Sequence, residues 1–324
     1  MSLPTLLDTI TRSMGAGSRE HSISTIDTLK GVSLIAMFHT HFAWAWRATD
    51  WYSLLRFEWY TTDFVSTATL LTMSLVGSMV GIQARREFGD ESMYTRRKLL
   101  RMSFLFLVGE LMNLMFLPAL GPFHALVWNA LTGIAFFSLL LPLAMRLPPV
   151  ARLAFAAALA LLYFPIVDWL MVPMNQAGIT PNAMRLSDLQ DIRTLIYFLF
   201  FNHAMMVPPY TWAIAMLVTS VVFQGITSPA AFKSPDRFTR ELKRVAMAGA
   251  CLIAIGISTG AFLMKDYDAK VFNELFLPGA VVLWPFKEGM LGFLVRHTPQ
   301  AIMYQIGIVY VWFACLGWLQ VLRK

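Results

Sequence analysis

Long apolar runs follow one another along almost the whole chain, and the short segments between them hold most of the charge. A helix needs about 20 predominantly apolar residues to cross a bilayer, because backbone polar groups cannot be left unpaired in hydrocarbon. Of the 324 residues, 57% are hydrophobic and 14% are charged, whereas about a quarter of a soluble domain is charged. We therefore predict an all-α fold, a polytopic transmembrane helical bundle.

Charges, prolines and glycines mark where each apolar run begins and ends. We predict nine spans, with ten as the alternative, near residues 31–46, 64–82, 102–117, 124–145, 150–172, 204–226, 247–264, 279–295 and 301–322. Pro208 and Pro209 interrupt a long apolar run, so a broken helix is an open alternative there. We expect one domain over 1–324, with residues 1–25 as a cytoplasmic N-terminal segment.

The distribution of Lys and Arg predicts the orientation of the chain. Most of the 26 cations fall on one side if the N-terminus is cytoplasmic, as the positive-inside rule requires. Nine spans would then put the C-terminus outside. We expect a multi-pass protein of the plasma or inner membrane whose partners include membrane lipids. The net charge of +7 then needs no nucleic-acid partner, and a homo-oligomer stays open.

Ionisable side chains within spans are costly, so each is a candidate site residue. Asp27, Lys30 and His41 fall within about 40° of one line along the first helix. Lys30 would lie at the cytoplasmic edge and His41 about 16 Å deeper. A neutral imidazole at that depth suits a general base. The alternative is that His41 only bonds a neighbouring helix.

Further polar residues lie in or beside the next spans. Asp63 begins the second span, and Glu110 and Asn113 share a face of the third. A structural hydrogen bond from Glu110 to Asn129 or His124 is the alternative to a site role. Trp128, Asn129 and His203 are further candidates for the lining of a cavity. Gly77 and Gly81 form a helix-packing signal.

The segment 83–101 is rich in cations, among them Arg96, Arg97 and Arg101. Membrane topology and contact with anionic lipids are enough to explain such a segment. Paired Arg side chains also bind phosphates well, so a phosphate site remains open. Cys251 and Cys315 lie inside apolar runs as small hydrophobes, and we expect neither a disulfide framework nor a metal site.

The order of motifs resembles that of the transmembrane acyltransferase superfamily, especially the heparan-alpha-glucosaminide N-acetyltransferase branch and its prokaryotic relatives. Residues 26–42 read IDTLKGVSLIAMFHTHF, similar to the opening motif of that family, and Asp63-Phe-Val is similar to its next motif. The resemblance extends over 24–145. Lys30 stands where Arg is usual, and the loop 47–62 lacks the histidine that the heparan enzyme places there.

This resemblance implies an acyltransferase that passes an acyl group, expected to be acetyl, from cytoplasmic acyl-coenzyme A to a sugar, glycan or similar acceptor at or across the membrane. We expect His41 to act as the general base, with Asp63 or Glu110 orienting either that histidine or the acceptor. Lys30, Arg96, Arg97 and Arg101 would hold the coenzyme A phosphates. Asp27, Asn113, Trp128, Asn129 and His203 would line the substrate cavity, with no metal. A transporter or flippase is the rival, and a non-catalytic scaffold is the third alternative.

Overall fold

Ten α-helices and no strand make up the part of the chain that the computed structural model describes, which is residues 24–45, 64–87, 89, 95–116, 128–177, 191–201, 207–259 and 298–322. The helices are α1 Ser24–Ala45, α2 Phe64–Glu87, α3 Arg96–Phe116, α4 Ala130–Ala144, α5 Pro149–Gln176, α6 Ile192–Phe200, α7 Pro209–Val222, α8 Pro229–Phe232, α9 Pro235–Ser258 and α10 Pro299–Leu322. The predicted all-α fold class is confirmed.

Eight of the nine predicted spans overlap a described helix, and the ninth, 279–295, lies outside the described residues. Within the described ranges, three helices are long and apolar enough to cross a membrane, over Thr67–Glu87, Pro149–Met174 and Pro299–Val321. The run that contains the paired prolines is divided between α6 and α7. Pro208 and Pro209 lie at the N-terminal end of α7, where a missing backbone N–H costs no helical hydrogen bond.

Contacts between helix ends define one end of the bundle, which we call the basic end. Thr25 at the start of α1 donates a hydrogen bond to Gln320 at the end of α10, over 2.7 Å. The amide of Gln83 in α2 donates to the carbonyl of Gln224, just beyond α7, over 3.1 Å. Lys233, just before α9, forms an ion pair with Glu87 over 2.8 Å. These contacts bring together ends from five parts of the fold.

The contact between Thr25 and Gln320 bears on the number of spans. Nine spans would put the end of the last helix on the side opposite to the start of the first, whereas these two ends are in contact. The number of spans stays a prediction, and this contact favours the alternative of ten. α9 and α10 run antiparallel, since the end of α9 at Gly256 meets the start of α10 at Gln300.

A buried guanidinium joins α5 to α7 at the basic end. Arg152 is 1% exposed, and its Nη1 donates to the carbonyl of Ser220 over 2.7 Å and to the Ser220 hydroxyl over 2.9 Å. Its Nη2 donates to the Oε1 of Gln224. The last carbonyls of a helix carry partial negative charge, so the end of α7 stabilises this cation.

Glycines allow the backbones of α9 and α10, the most extensively packed pair, to approach closely. A Cβ added at Gly249 would lie 2.7 Å from the carbonyl oxygen of Gly307, and one at Gly256 would lie 2.8 Å from that of Gln300. Small residues at such crossings are a common means of packing membrane helices.

We predict that Gly249→Ala destabilises the protein, because the new methyl group meets backbone that cannot rotate away. The expected loss is about 1–3 kcal/mol, as for other overpacked cores, seen as a lower melting temperature in detergent. Gly81→Ala is the matched control, since nothing lies within 4 Å of its Cβ position. It should leave the melting temperature unchanged or raise it. Equal behaviour of the two variants would contradict the assigned crossing.

Candidate functional site

The ammonium group of Lys30 lies at the basic end, against the helix surface at Gly77. A Cβ added at Gly77 would lie 3.2 Å from Lys30 Nζ. The charged groups that act most strongly on Lys30 are Asp27, on the same helix, and Arg101 of α3. Lys30 therefore lies against α2 and close enough to Arg101 of α3 for the two positive charges to repel each other. The packing role predicted for the glycine pair applies to Gly77 and not to Gly81, which has no neighbour within 4 Å of its Cβ position.

The predicted polar stripe of α1 borders the packed face and does not point to its centre. Asp27 is exposed and Leu34 is 41% exposed, whereas Lys30 is half-buried. The packed face is centred on Leu29 and Ser33, at 1% and 3% exposure. The side chain of His41 lies outside the described residues, so its depth and its role stay predictions. Asp63 and His203 also lie outside them.

α3 packs mainly against α4 and presents one buried stripe to the bundle. Its members recur at helical spacing and are Lys98, Met102, Leu105, Gly109 and Asn113. Most other side chains of α3 are exposed, including Phe104 at 67% and Met115 at 74%. A lysine thus occupies the first position of a stripe that is otherwise apolar, small or hydrogen-bonded.

Lys98 is the functional candidate that the sequence analysis missed. Its Nζ is buried and has no hydrogen-bond partner in the described part of the chain. Burial, and then the nearby Arg85 guanidinium, lower the pKa of Lys98 from 10.5 to about 8. A buried ammonium without a partner is costly, so this position favours an anion as ligand.

The start of α3 concentrates positive charge where the helix itself is positive. Arg96, Arg97 and Lys98 occupy its first turn, which contains no acidic residue. The partial positive charge of a helix N-terminus disfavours cations and attracts anions such as phosphate. Arg96 and Arg97 are exposed to the surroundings of the bundle, whereas Lys98 points inward. We call Lys30, Arg85, Lys98 and Arg101 the cation cluster.

A second polar group lies further along α3. The amide of Asn129 donates to the Asn113 side chain over 2.9 Å and to the carbonyl of Gly109 over 2.8 Å. Asn113 in turn shares a hydrogen bond with the Glu110 carboxyl. The result is a chain of three polar side chains, from Asn129 through Asn113 to the half-buried Glu110. Glu110 and Asn113 were predicted to share a face of this helix, and the hydrogen bond between their side chains agrees with that prediction.

Asn129 and Trp128 also have structural roles. The Asn129 side chain caps α4 by accepting from the backbone N–H groups of Leu131 and Thr132 over 2.8 and 3.0 Å. The indole of Trp128 packs edge-on against Phe136, with ring centroids 4.9 Å apart. The alternative to a site role for Glu110 was a structural hydrogen bond to Asn129. The link between these two residues is indirect, because each is hydrogen-bonded to Asn113.

Two members of the cation cluster, Lys98 and Arg101, lie on the same helix as Glu110 but at a different depth. Glu110 follows Arg101 by nine residues and follows Lys98 by twelve, which correspond to roughly 14 and 18 Å along α3. This arrangement suits an elongated ligand with an anionic head at the basic end and a reactive tail near the carboxyl. No group of three or more potential metal ligands occurs among the residues that the structure describes.

Comparison with known proteins identifies the family. The family model described as "Heparan-alpha-glucosaminide N-acetyltransferase, catalytic" matches residues 23–201, which is more than half of the chain and includes α1 to α6. No curated protein and no solved structure matches the chain. Together with its three apolar helices of spanning length, the match makes this chain a membrane protein. The chain belongs to the heparan-alpha-glucosaminide N-acetyltransferase family of membrane transferases.

Proposed function

We propose that the protein transfers an acyl group, acetyl by analogy with its family, from cytoplasmic acyl-coenzyme A to a sugar, glycan or similar acceptor at or across the membrane. The observation that carries the proposal is the buried, unpaired Lys98 ammonium within a cluster of cations. The family match supports the transferase chemistry. Coenzyme A is an anionic, elongated donor, and this shape fits the spacing of the cations and Glu110 along α3.

The cation cluster would hold the phosphates of the donor. Lys98 and Lys30 supply ammonium groups from two helices, and Arg101 adds a guanidinium that can form two parallel hydrogen bonds with a phosphate. The exposed Arg96 and Arg97 would attract the donor from solution and contact it less closely. The pantetheine arm would then extend along α3 towards Glu110.

The transfer itself needs a nucleophile, a base and a leaving group. The acceptor hydroxyl or amine attacks the thioester carbonyl, a C–O or C–N bond forms, the C–S bond breaks and coenzyme A leaves as the thiol. His41 would take the proton of the acceptor as general base. Glu110 or Asp63 would orient His41 or the acceptor, with Asn113 holding the Glu110 carboxyl.

The basic end would face the cytoplasm, because the positive-inside rule places clustered Lys and Arg there. The N-terminal end of α1 and the C-terminal end of α10 meet at this end, so an even number of crossings would separate them. We therefore favour ten spans over nine for this multi-pass protein. Acceptor and donor would then approach from opposite faces, with the bundle between them.

A transporter or flippase is the rival function, in which intramembrane polar groups would bind cargo or relay protons. The chain of side chains from Asn129 to Glu110 could serve such a pathway. A transporter of this kind needs no coenzyme A, and coenzyme A should not stabilise it. Ligand-dependent stability therefore separates the two.

We predict that coenzyme A raises the melting temperature of the detergent-solubilised protein, since a ligand that binds only the folded state stabilises it. Lys98→Met should weaken this response at least tenfold in ligand concentration, because one buried charge-assisted contact contributes about 1.5–3 kcal/mol. Arg97→Gln, which removes an exposed cation, is the control and should weaken it much less. If coenzyme A has no effect on the wild-type protein, the donor site is wrong.

The lowered pKa of Lys98 predicts how stability depends on pH. In the unfolded chain this lysine titrates near 10.5, and in the folded protein at about 8. Between these values the unfolded state binds more protons, so this group makes the folded protein more stable as pH rises from about 8 to 10.5. Melting curves of wild type and Lys98→Met at pH 8 and pH 10 should show a larger gain in the wild type than in the variant. A parallel response would contradict the burial of this amine.

We predict that His41→Ala lowers kcat at least a hundredfold, as removal of a general base does, with little change in the coenzyme A response. Glu110→Gln keeps the shape and most hydrogen bonds of the side chain and should lower kcat less. The measurement is acetyl transfer to a panel of sugars by purified, reconstituted protein, with Arg193→Gln as a remote control. Undiminished turnover in His41→Ala would remove this residue from the mechanism.

A further inference from the structure

A basic face on the first half of α9 shares no residue with the cation cluster, whose members belong to α1, α2 and α3. Four cations of this helix, Arg237, Arg240, Lys243 and Arg244, are exposed. At 100° per residue they fall within an arc of about 120°. The opposite face, with Leu242 and Val245 at 0% exposure, packs into the bundle. The cations therefore point away from the protein.

The same face of α9 becomes apolar as the helix continues. Met247, Cys251 and Ile255 follow Arg244 at offsets of 3, 7 and 11 residues, which keeps them on its side of the helix. Met247 is 66% and Ile255 is 44% exposed, and Cys251 is also exposed. An exposed apolar face on a membrane protein is where acyl chains lie. The change from cations to apolar side chains marks the level of the lipid headgroups on this face.

The distances agree with this placement. Arg237, Arg240 and Lys243 precede Met247 by ten, seven and four residues, so their backbones lie roughly 15, 11 and 6 Å beyond the apolar boundary. The headgroup layer begins at that boundary and is about 5–8 Å thick on each side of the hydrocarbon. Long Lys and Arg side chains readily reach across such distances.

Charge pairing leaves this face positive. Arg244 forms an ion pair with Glu241 over 2.7 Å, and Lys233 is paired with Glu87. Arg237, Arg240 and Lys243 have no ion-pair partner within the described ranges, and Asp236 is the one exposed carboxylate of the helix. The three unpaired cations outnumber the single exposed carboxylate. The resulting positive charge favours an anionic partner at the level of the lipid headgroups.

We propose that Arg237, Arg240 and Lys243 form a binding site for the phosphate headgroups of anionic lipids, whose acyl chains lie along Met247, Cys251 and Ile255. This site shares no residue with the donor site, and it does not depend on the proposed transferase activity. Its ligand is an anionic phospholipid of the leaflet on the basic side. A zwitterionic lipid can cover the apolar part of this face with its acyl chains, but its headgroup carries no net negative charge to offset the three cations.

The test measures which lipids remain bound to the full-length protein in detergent when it is mixed with equal amounts of phosphatidylglycerol and phosphatidylcholine, with native mass spectrometry as the readout. The wild type should retain phosphatidylglycerol preferentially. Each neutralised cation should weaken this binding about fivefold, so R237Q/R240Q/K243Q should lose the preference. R237K/R240K keeps the charge and should keep the preference.

Two controls locate the effect. Arg193→Gln removes a cation outside this face, and Lys98→Met removes one from the cation cluster, and both should retain phosphatidylglycerol as the wild type does. Unchanged melting temperature of the triple variant in phosphatidylcholine shows that the fold is intact. The proposal is overturned if the wild type shows no preference, if the triple variant retains it, or if only Lys98→Met loses it.

Discussion

A positive charge inside an apolar bundle must find hydrogen-bond acceptors or an anion, because its desolvation costs several kcal/mol. Among the described residues, Arg152 meets this requirement and Lys98 does not. Arg152 donates to the end of α7 at Ser220 and Gln224, and Gln224 is bonded in turn by α2. The ammonium of Lys98 has no such acceptor among the described residues. Arg152 holds the basic end together, and we propose that Lys98 binds a ligand.

The positions of Lys98 and Glu110 along α3 set the direction in which a ligand would lie. Lys98 and Arg101 begin α3, and Glu110 lies deeper on the same helix, bonded to Asn113. Asn113 is fixed by Asn129, whose side chain also caps α4. The carboxyl is thereby held at one end of a rigid helix pair while the cations occupy the other. Under the proposed function, this arrangement would order a long donor along α3, with its reactive end near the polar chain.

Much of this could be predicted from sequence, because apolar length and helical spacing are local properties. The spans follow from apolar runs, and the shared face of Glu110 and Asn113 follows from their spacing of three. Lys98 was missed since it lies in a run of cations that resembles an exposed segment. Its signal was the stripe of Met102, Leu105 and Gly109, which continues its face into the bundle. The burial of Arg152 depends on α7, which lies far away in sequence, and could not be predicted locally.

The most direct test of the account is an experimental structure of the reconstituted protein with acetyl-coenzyme A. The account predicts phosphate density within hydrogen-bonding distance of Lys98 Nζ, with Lys30 and Arg101 beside it, and a pantetheine arm that runs along α3 towards Glu110. Donor density at another place in the bundle, with Lys98 still unpaired, would contradict it.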